Sequence, residues 1–169
     1  MLQALPIGSS DFSTLRENNE IYVDKTALMF QLAKSRGKIF LARPHRFGKS
    51  LLISTFDSLF WDGLKHFRGL EIEKLWTDKT YPVVRLDFSE IKEVKTAEDF
   101  KKNFHDKLAA TFKSVGSELD KSRFGVMAQL SNWLSTLQSS ELVLLIDEYD
   151  APLTHCLDTV SYTHLTLPT

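Results

Sequence analysis

Apolar residues recur along this chain in two rhythms, a helical period and short unbroken runs, and the alternation between them predicts a mixed α/β architecture. From Ser50 onward, Leu51, Leu52, Thr55, Phe56 and Leu59 share one face, so Ser50 to Leu59 reads as an amphipathic helix. Phe100, Phe104, Leu108 and Phe112 recur inside the segment Thr96 to Val115. Thr96, ahead of Asp99, has the form of a capping box with the shorter acid. Met127, Leu130, Trp133, Leu134 and Leu137 mark another helix over Gly125 to Leu137. A looser set, Ala27, Leu28, Phe30, Leu32 and Ala33, predicts a helix from Lys25 to about Lys34 with Asp24 as its N-cap. Ile7 to Asp24 shows no clear period.

Three runs have the length of strands. Lys38 to Ala42 carries Ile39, Phe40 and Leu41 consecutively, as a strand covered on both faces does. Tyr81 to Asp87 supplies Val83, Val84 and Leu86, with Pro82 tolerable at its start. Leu142 to Ile146 is a third buried run. Strands alternating with helices predict a mostly parallel sheet with helices on both faces. No repeat and no low-complexity linker interrupts the chain, so residues 1–159 are expected to form one domain and residues 160–169 an unstructured tail, read as foreign to a truncated frame.

Composition narrows the function. The 169 residues carry 21 basic and 22 acidic side chains, a formal net charge of −1, which gives no whole-molecule field to attract nucleic acid or an anionic membrane. Cys156, the single cysteine, cannot form an internal disulfide or a paired-ligand zinc site. Met1 to Asp11 lacks the form of a secretory signal, and no apolar stretch approaches the roughly 20 residues that span a bilayer. A cytoplasmic protein without membrane contact is expected. His66, His105, His155 and His164 read as unpaired at helical spacing with other ligand types, so a metal other than magnesium has little support.

The chemistry concentrates in two places. Arg43, Pro44, His45, Arg46, Phe47, Gly48, Lys49 and Ser50 fit G-x-x-x-x-G-K-[ST] everywhere but the first position, where arginine replaces glycine. Gly48 lets the backbone approach an anion, Lys49 brings a charge to the β and γ phosphates, and Ser50 offers a hydroxyl to Mg²⁺. With Leu51 opening the following helix, these residues form the expected nucleotide cradle, and Arg43 and Arg46 add bidentate cations. Pro44 biases Arg43 toward extended backbone, which makes the missing glycine survivable. The run Leu142-Val143-Leu144-Leu145-Ile146 ends in Asp147 and Glu148, the form of a Walker B strand. Asp147 is expected to hold Mg²⁺ and Glu148 to polarise the attacking water as a general base.

These motifs, with Pro6-Ile7-Gly8, Asp11-Phe12, Leu15-Arg16-Glu17, Tyr22-Val23-Asp24-Lys25-Thr26, Tyr81-Pro82, Leu86-Asp87-Phe88-Ser89 and Ile146-Asp147-Glu148-Tyr149-Asp150, resemble the AAA-ATPase-like family of bacterial and archaeal proteins over nearly all of residues 5–158. Many members carry a PD-(D/E)xK nuclease-like domain further along. The resemblance implies a P-loop NTPase core of three α/β/α layers, incomplete at its C-terminal side, that binds ATP and Mg²⁺ and hydrolyses the nucleotide. A nucleotide-dependent regulatory module without appreciable hydrolysis is the alternative. A nucleic-acid binder is weaker, because Arg43 and Arg46 alone make no basic groove. The sequence points to no particular macromolecular partner or oligomeric state, and does not separate ATP from GTP.

Overall fold

Asp11 explains the first helix. Its extended backbone and its Oδ1, which accepts from the Thr14 amide at 2.9 Å, make it the N-cap of α1, Phe12–Glu17. The aperiodic stretch Ile7 to Asp24 thus contains a short helix that apolar spacing does not reveal, since its inward residues are only Phe12 and Leu15. Asp24 acts similarly one step later. Helix α2 is Thr26–Lys34, capped formally by Lys25 without a side-chain bond, while Asp24 Oδ1 accepts from the Thr26 amide at 2.8 Å. The expected N-cap is thus corrected from Asp24 to Lys25, and Asp24, one residue earlier, instead closes a local turn on the first amide of the helix.

The computed structural model describes residues 3–35, 37–44, 46–91, 96–120, 125–138 and 141–151. Helix α3, Lys49–Asp62, ends at Gly63, and a 3₁₀ turn at Glu71–Lys74 follows. Strand β1 is Val83–Asp87, helix α4 is Ala97–Lys113, helix α5 is Val126–Thr136, and strand β2 is Val143–Asp147. The capping box before α4 forms in both directions between Thr96 and Asp99. No helix among the described residues is long and apolar enough to cross a membrane.

The chain forms two compact units that divide between Val83 and Val84. In the first, α1 packs on α3 and α2 on the 3₁₀ turn. Phe12, Leu59, Phe67, Leu70, Ile72 and Trp76 form its core. Phe12 lies 4.7 Å from Phe67 and edge-on to Tyr22 at 5.0 Å, and burying such a ring contributes roughly 1.5–3 kcal/mol. In the second unit, β1 and β2 pair as a small parallel sheet. Val84 and Leu86 of β1 join Leu108 and Phe112 of α4 and Leu130 of α5 in one core. Parallel neighbours need a crossover connection rather than a tight turn, and α4 and α5 lie in the connection between β1 and β2.

Two strand expectations need correction. Lys38 to Ala42 is not a strand: Ile39 and Phe40 are 54% and 68% exposed, and the sheet among the described residues contains β1 and β2. A short apolar run adopts strand geometry only when a ladder partner holds it. Strand β2 forms as expected but is covered on one face: Leu145 and Asp147 are buried, whereas Leu144 and Ile146 are exposed.

Candidate functional site

The loop expected to cradle phosphate lies in the first unit. Gly48 adopts φ 73° and ψ 24°, the left-handed region, and its carbonyl accepts from the Leu52 amide at 3.0 Å to start α3. This geometry turns the chain sharply into the helix and leaves the first-turn amides of Lys49, Ser50 and Leu51 beyond reach of any intrahelical acceptor. Arg46 is also left-handed at φ 64°, a conformation that costs a non-glycine residue roughly 1–2 kcal/mol. Such strain concentrates where a loop is held in a functional shape.

Lys49 folds back across this loop. Its Nζ donates to the Arg43 carbonyl at 3.0 Å, so the ammonium and the loop it belongs to are brought together. Arg43, Pro44, Arg46, Phe47 and Gly48 are exposed, while Lys49, Ser50 and Leu51 are partly buried. Leu51 packs against the first core. His45 lies outside the described residues.

The acidic pair lies in the second unit, at the C-terminal end of β2. Asp147 is 4% exposed, and its Oδ1 accepts from the Glu148 amide at 3.1 Å. That bond uses one of the roughly four acceptor positions of a carboxylate, and the donor chemistry suits a hard cation. Glu148, like Arg46, is left-handed, at φ 48°, and it starts a turn closed by the Ala151 amide on its carbonyl at 3.0 Å. Of the three described non-glycine residues with positive φ, Asn19, Arg46 and Glu148, two lie in the predicted motifs. Asn19 needs no such account, because asparagine tolerates this region.

Among the described residues, no cluster of three or more His, Cys, Asp or Glu side chains could hold a metal by itself. The reading of His66 as unpaired is corrected: Asp62, four residues earlier, lies 3.7 Å from its Nε2, and Glu17 lies 4.0 Å from its Nδ1. The two carboxylates flank opposite ring nitrogens, so they do not converge on one point as metal ligands must.

Sequence spacing missed two sets of polar bonds, one between α1 and α3 and one between the start of α2 and the 3₁₀ turn. Ser54 Oγ donates to Asp11 Oδ2 at 3.0 Å and accepts from the Phe12 amide at 2.9 Å. Thr26 Oγ1 donates to Asp24 Oδ1 at 2.7 Å and accepts from the Ile72 amide at 3.0 Å, while Asp24 Oδ2 accepts from the Glu71 amide at 2.8 Å. The available signal was local: Asp24 and Thr26 are two residues apart, the spacing of an aspartate that bonds its own chain.

The chain matches the family model described as "Predicted AAA-ATPase" over residues 6–167. It is 32% identical over 155 residues to a protein of Azotobacter chroococcum mcd 1 titled "Uncharacterized protein in vnfD 5'region", an alignment covering 88% of this chain and 29% of that relative. The chain thus spans less than a third of that relative's length. No solved structure matches it. With the family match running across both units and both motifs, the chain belongs to the AAA-ATPase-like family.

Proposed function

We propose that this chain is the nucleotide-binding part of a Mg²⁺-dependent ATPase with a three-layer P-loop NTPase core. The carrying observation is the left-handed Gly48, which bends the loop into the N-terminus of a 14-residue helix whose first two residues are Lys49 and Ser50. A helix end presents free amides and a positive dipole to an anion. Arg43, Arg46 and Lys49 add three cations within the same short loop.

In this reading the first-turn amides and Lys49 hold the phosphates. The Lys49 ammonium exchanges its bond to the Arg43 carbonyl for phosphate oxygens, so the loop opens around the ligand with no loss of a paired charge. Ser50 would offer its hydroxyl to Mg²⁺, which supplies charge neutralisation at the transferring phosphoryl group, and the Asp147 carboxylate is of the type that takes the same hard cation. Glu148 orients a water and accepts its proton. Family membership and the strained backbone at Arg46 and Glu148 support the assignment.

The test uses the intact protein, titrated with labelled ATP and GTP with and without Mg²⁺. Lys49→Ala is expected to weaken binding by about tenfold or more, the scale of one lost charge-assisted contact. Glu148→Gln is expected to keep binding and lower turnover by roughly 10²–10⁴. Undiminished hydrolysis in Glu148→Gln removes the general-base role, and undiminished binding in Lys49→Ala removes the loop's. Lys49-dependent binding with no hydrolysis in any form identifies a regulatory module instead.

A further inference from the structure

Helix α3 carries polar side chains where a helix usually carries apolar ones. Ser54, Thr55 and Ser58 are 3%, 0% and 6% exposed. A buried mid-helix hydroxyl commonly satisfies itself on the carbonyl four residues back. Thr55 does this, donating to the Leu51 carbonyl at 2.7 Å. Ser54 does not. Its hydroxyl donates to Asp11 and accepts from the Phe12 amide, so both bonds leave the helix and reach residues more than 40 positions away.

Asp11 is fixed from its other side as well. Its Oδ1 takes the Thr14 amide at 2.9 Å and the Ser13 hydroxyl at 2.7 Å, which ties the carboxylate to the first turn of α1. Partial burial works against its charge, but the bonds from Thr14, Ser13 and Ser54 outweigh that and hold its carboxyl well below the usual carboxylate range. It therefore remains an ionised acceptor near neutral pH. Through Ser54, α3 is thus held by two polar bonds to the N-terminal segment.

Their position gives these bonds a consequence. Ser54 follows Ser50 by four residues, about 6 Å along the axis and nearly on the same face. Apolar packing alone tolerates small rotation and sliding of a helix, whereas a hydrogen bond confines its partners within a few tenths of an ångström. A rotation stopped at Ser54 is stopped at Ser50 too, one turn away in a rigid element. We infer that Asp11 and Ser54 form a positioning pair that sets the rotation and register of α3, and so the aim of Ser50 and the first-turn amides of the phosphate loop.

The functional consequence rests on the nucleotide reading above, but the positioning itself is a property of the nucleotide-free fold, and the two are tested separately. In the intact protein, hydrogen exchange of the Leu52 to Phe56 amides without nucleotide reads the helix, and titration with fluorescent ATP and Mg²⁺ reads the loop. Ser54→Ala and Asp11→Ala are each expected to speed exchange and weaken ATP binding by about tenfold, one hydrogen bond to a charged group. The double variant is expected to fall short of the sum of the two, because both remove the Ser54–Asp11 bond, while Asp11→Ala also removes the α1 cap and Ser54→Ala the acceptor of the Phe12 amide. Ser54→Cys, close in size and a weak donor, falls between wild type and Ser54→Ala and serves if an alanine variant fails to fold. Ile72→Val, a small loss in the same core, lowers the melting temperature without either effect.

Exchange in Ser54→Ala within about twofold of wild type overturns the positioning role. So does equal acceleration in Ile72→Val, or full additivity of the Ser54 and Asp11 substitutions. If exchange responds as expected while wild type and Lys49→Ala take up ATP identically, the pair positions the helix and the nucleotide reading is the part that fails.

Discussion

Replacing Gly48 with alanine perturbs the loop at its bend. At φ 73° and ψ 24° an L-residue pays roughly 1–2 kcal/mol of steric strain. Alanine also restricts the unfolded chain, which returns about 0.4–1 kcal/mol. A Cβ built at residue 48 meets nothing within 4 Å, so no collision adds to the strain. The fold should lose only about 0.5–1 kcal/mol, a shift of a few degrees in melting temperature for a chain of this size. Nucleotide affinity should fall further, by about tenfold or more. The loop escapes the strain by leaving the left-handed region, and that carries the amides of the first turn out of line with an anion. Gly125 supplies the control. It is the left-handed N-cap of α5 at φ 93°, and an added Cβ there meets Ala128 at an ordinary 3.6 Å. Gly125→Ala thus imposes similar strain in the second unit, away from the phosphate loop in sequence. Melting curves and labelled-ATP titrations of both variants, made in the intact protein, separate strain from binding. ATP affinity unchanged in Gly48→Ala, or reduced equally in Gly125→Ala, refutes the role given to the bend.

Two further outcomes probe the first unit. Thr26 is fully buried and links Asp24 to the Ile72 amide, so Thr26→Val leaves that amide without its acceptor and should cost roughly 2–4 kcal/mol, against about 1 kcal/mol for Thr26→Ser, which keeps the hydroxyl. Urea midpoints read by exchange in α2 check the order, and a valine variant as stable as the serine one would contradict it. Asp24, like Asp11, resists ionisation through partial burial, but bonds from Thr26 and the Glu71 amide outweigh this and hold its carboxyl below the usual range. With folded values under the unfolded value of about 3.9, both groups contribute stability that is whole above that value and is lost as pH falls through the folded ones. Urea midpoints of the first unit should hold level down to about pH 5 and then decline, less steeply in Asp11→Asn. A decline centred near neutral pH would assign the loss to other groups.

How far the sequence carried depended on whether a segment's neighbours were local. Helices α3, α4 and α5 were legible from the spacing of their apolar residues, and the Thr96–Asp99 box fixes the start of α4 within a single turn, although the face expected for α5 is buried only in part, with Leu130 inside and Met127 and Leu134 exposed. Strand β1 was legible from Val83, Val84 and Leu86. Helix α1 was not, because two inward residues define no period; its cause is the Asp11 carboxylate, and one of the three bonds to that carboxylate comes from Ser54, more than 40 residues away. Lys38 to Ala42 shows the opposite error. Its apolar run carries the composition of a buried strand, but burial belongs to the surroundings rather than to the run.

The site divides along the same line. Gly48, Lys49 and Ser50 were readable because spacing in the chain fixes their spacing at the start of a helix, where bend, charge and hydroxyl follow one another directly. Left-handed backbone at Arg46 and Glu148 was not readable, since neither side chain favours it. Both residues adjoin the groups assigned to phosphate and metal, and both conformations cost free energy that packing elsewhere must offset. The strain therefore argues that the two bends were retained for what they present. Arg46→Gly and Glu148→Gly carry that argument to experiment. Each should raise or leave level the melting temperature while weakening ATP binding or turnover, whereas a parallel fall in stability would mean that these bends serve the fold.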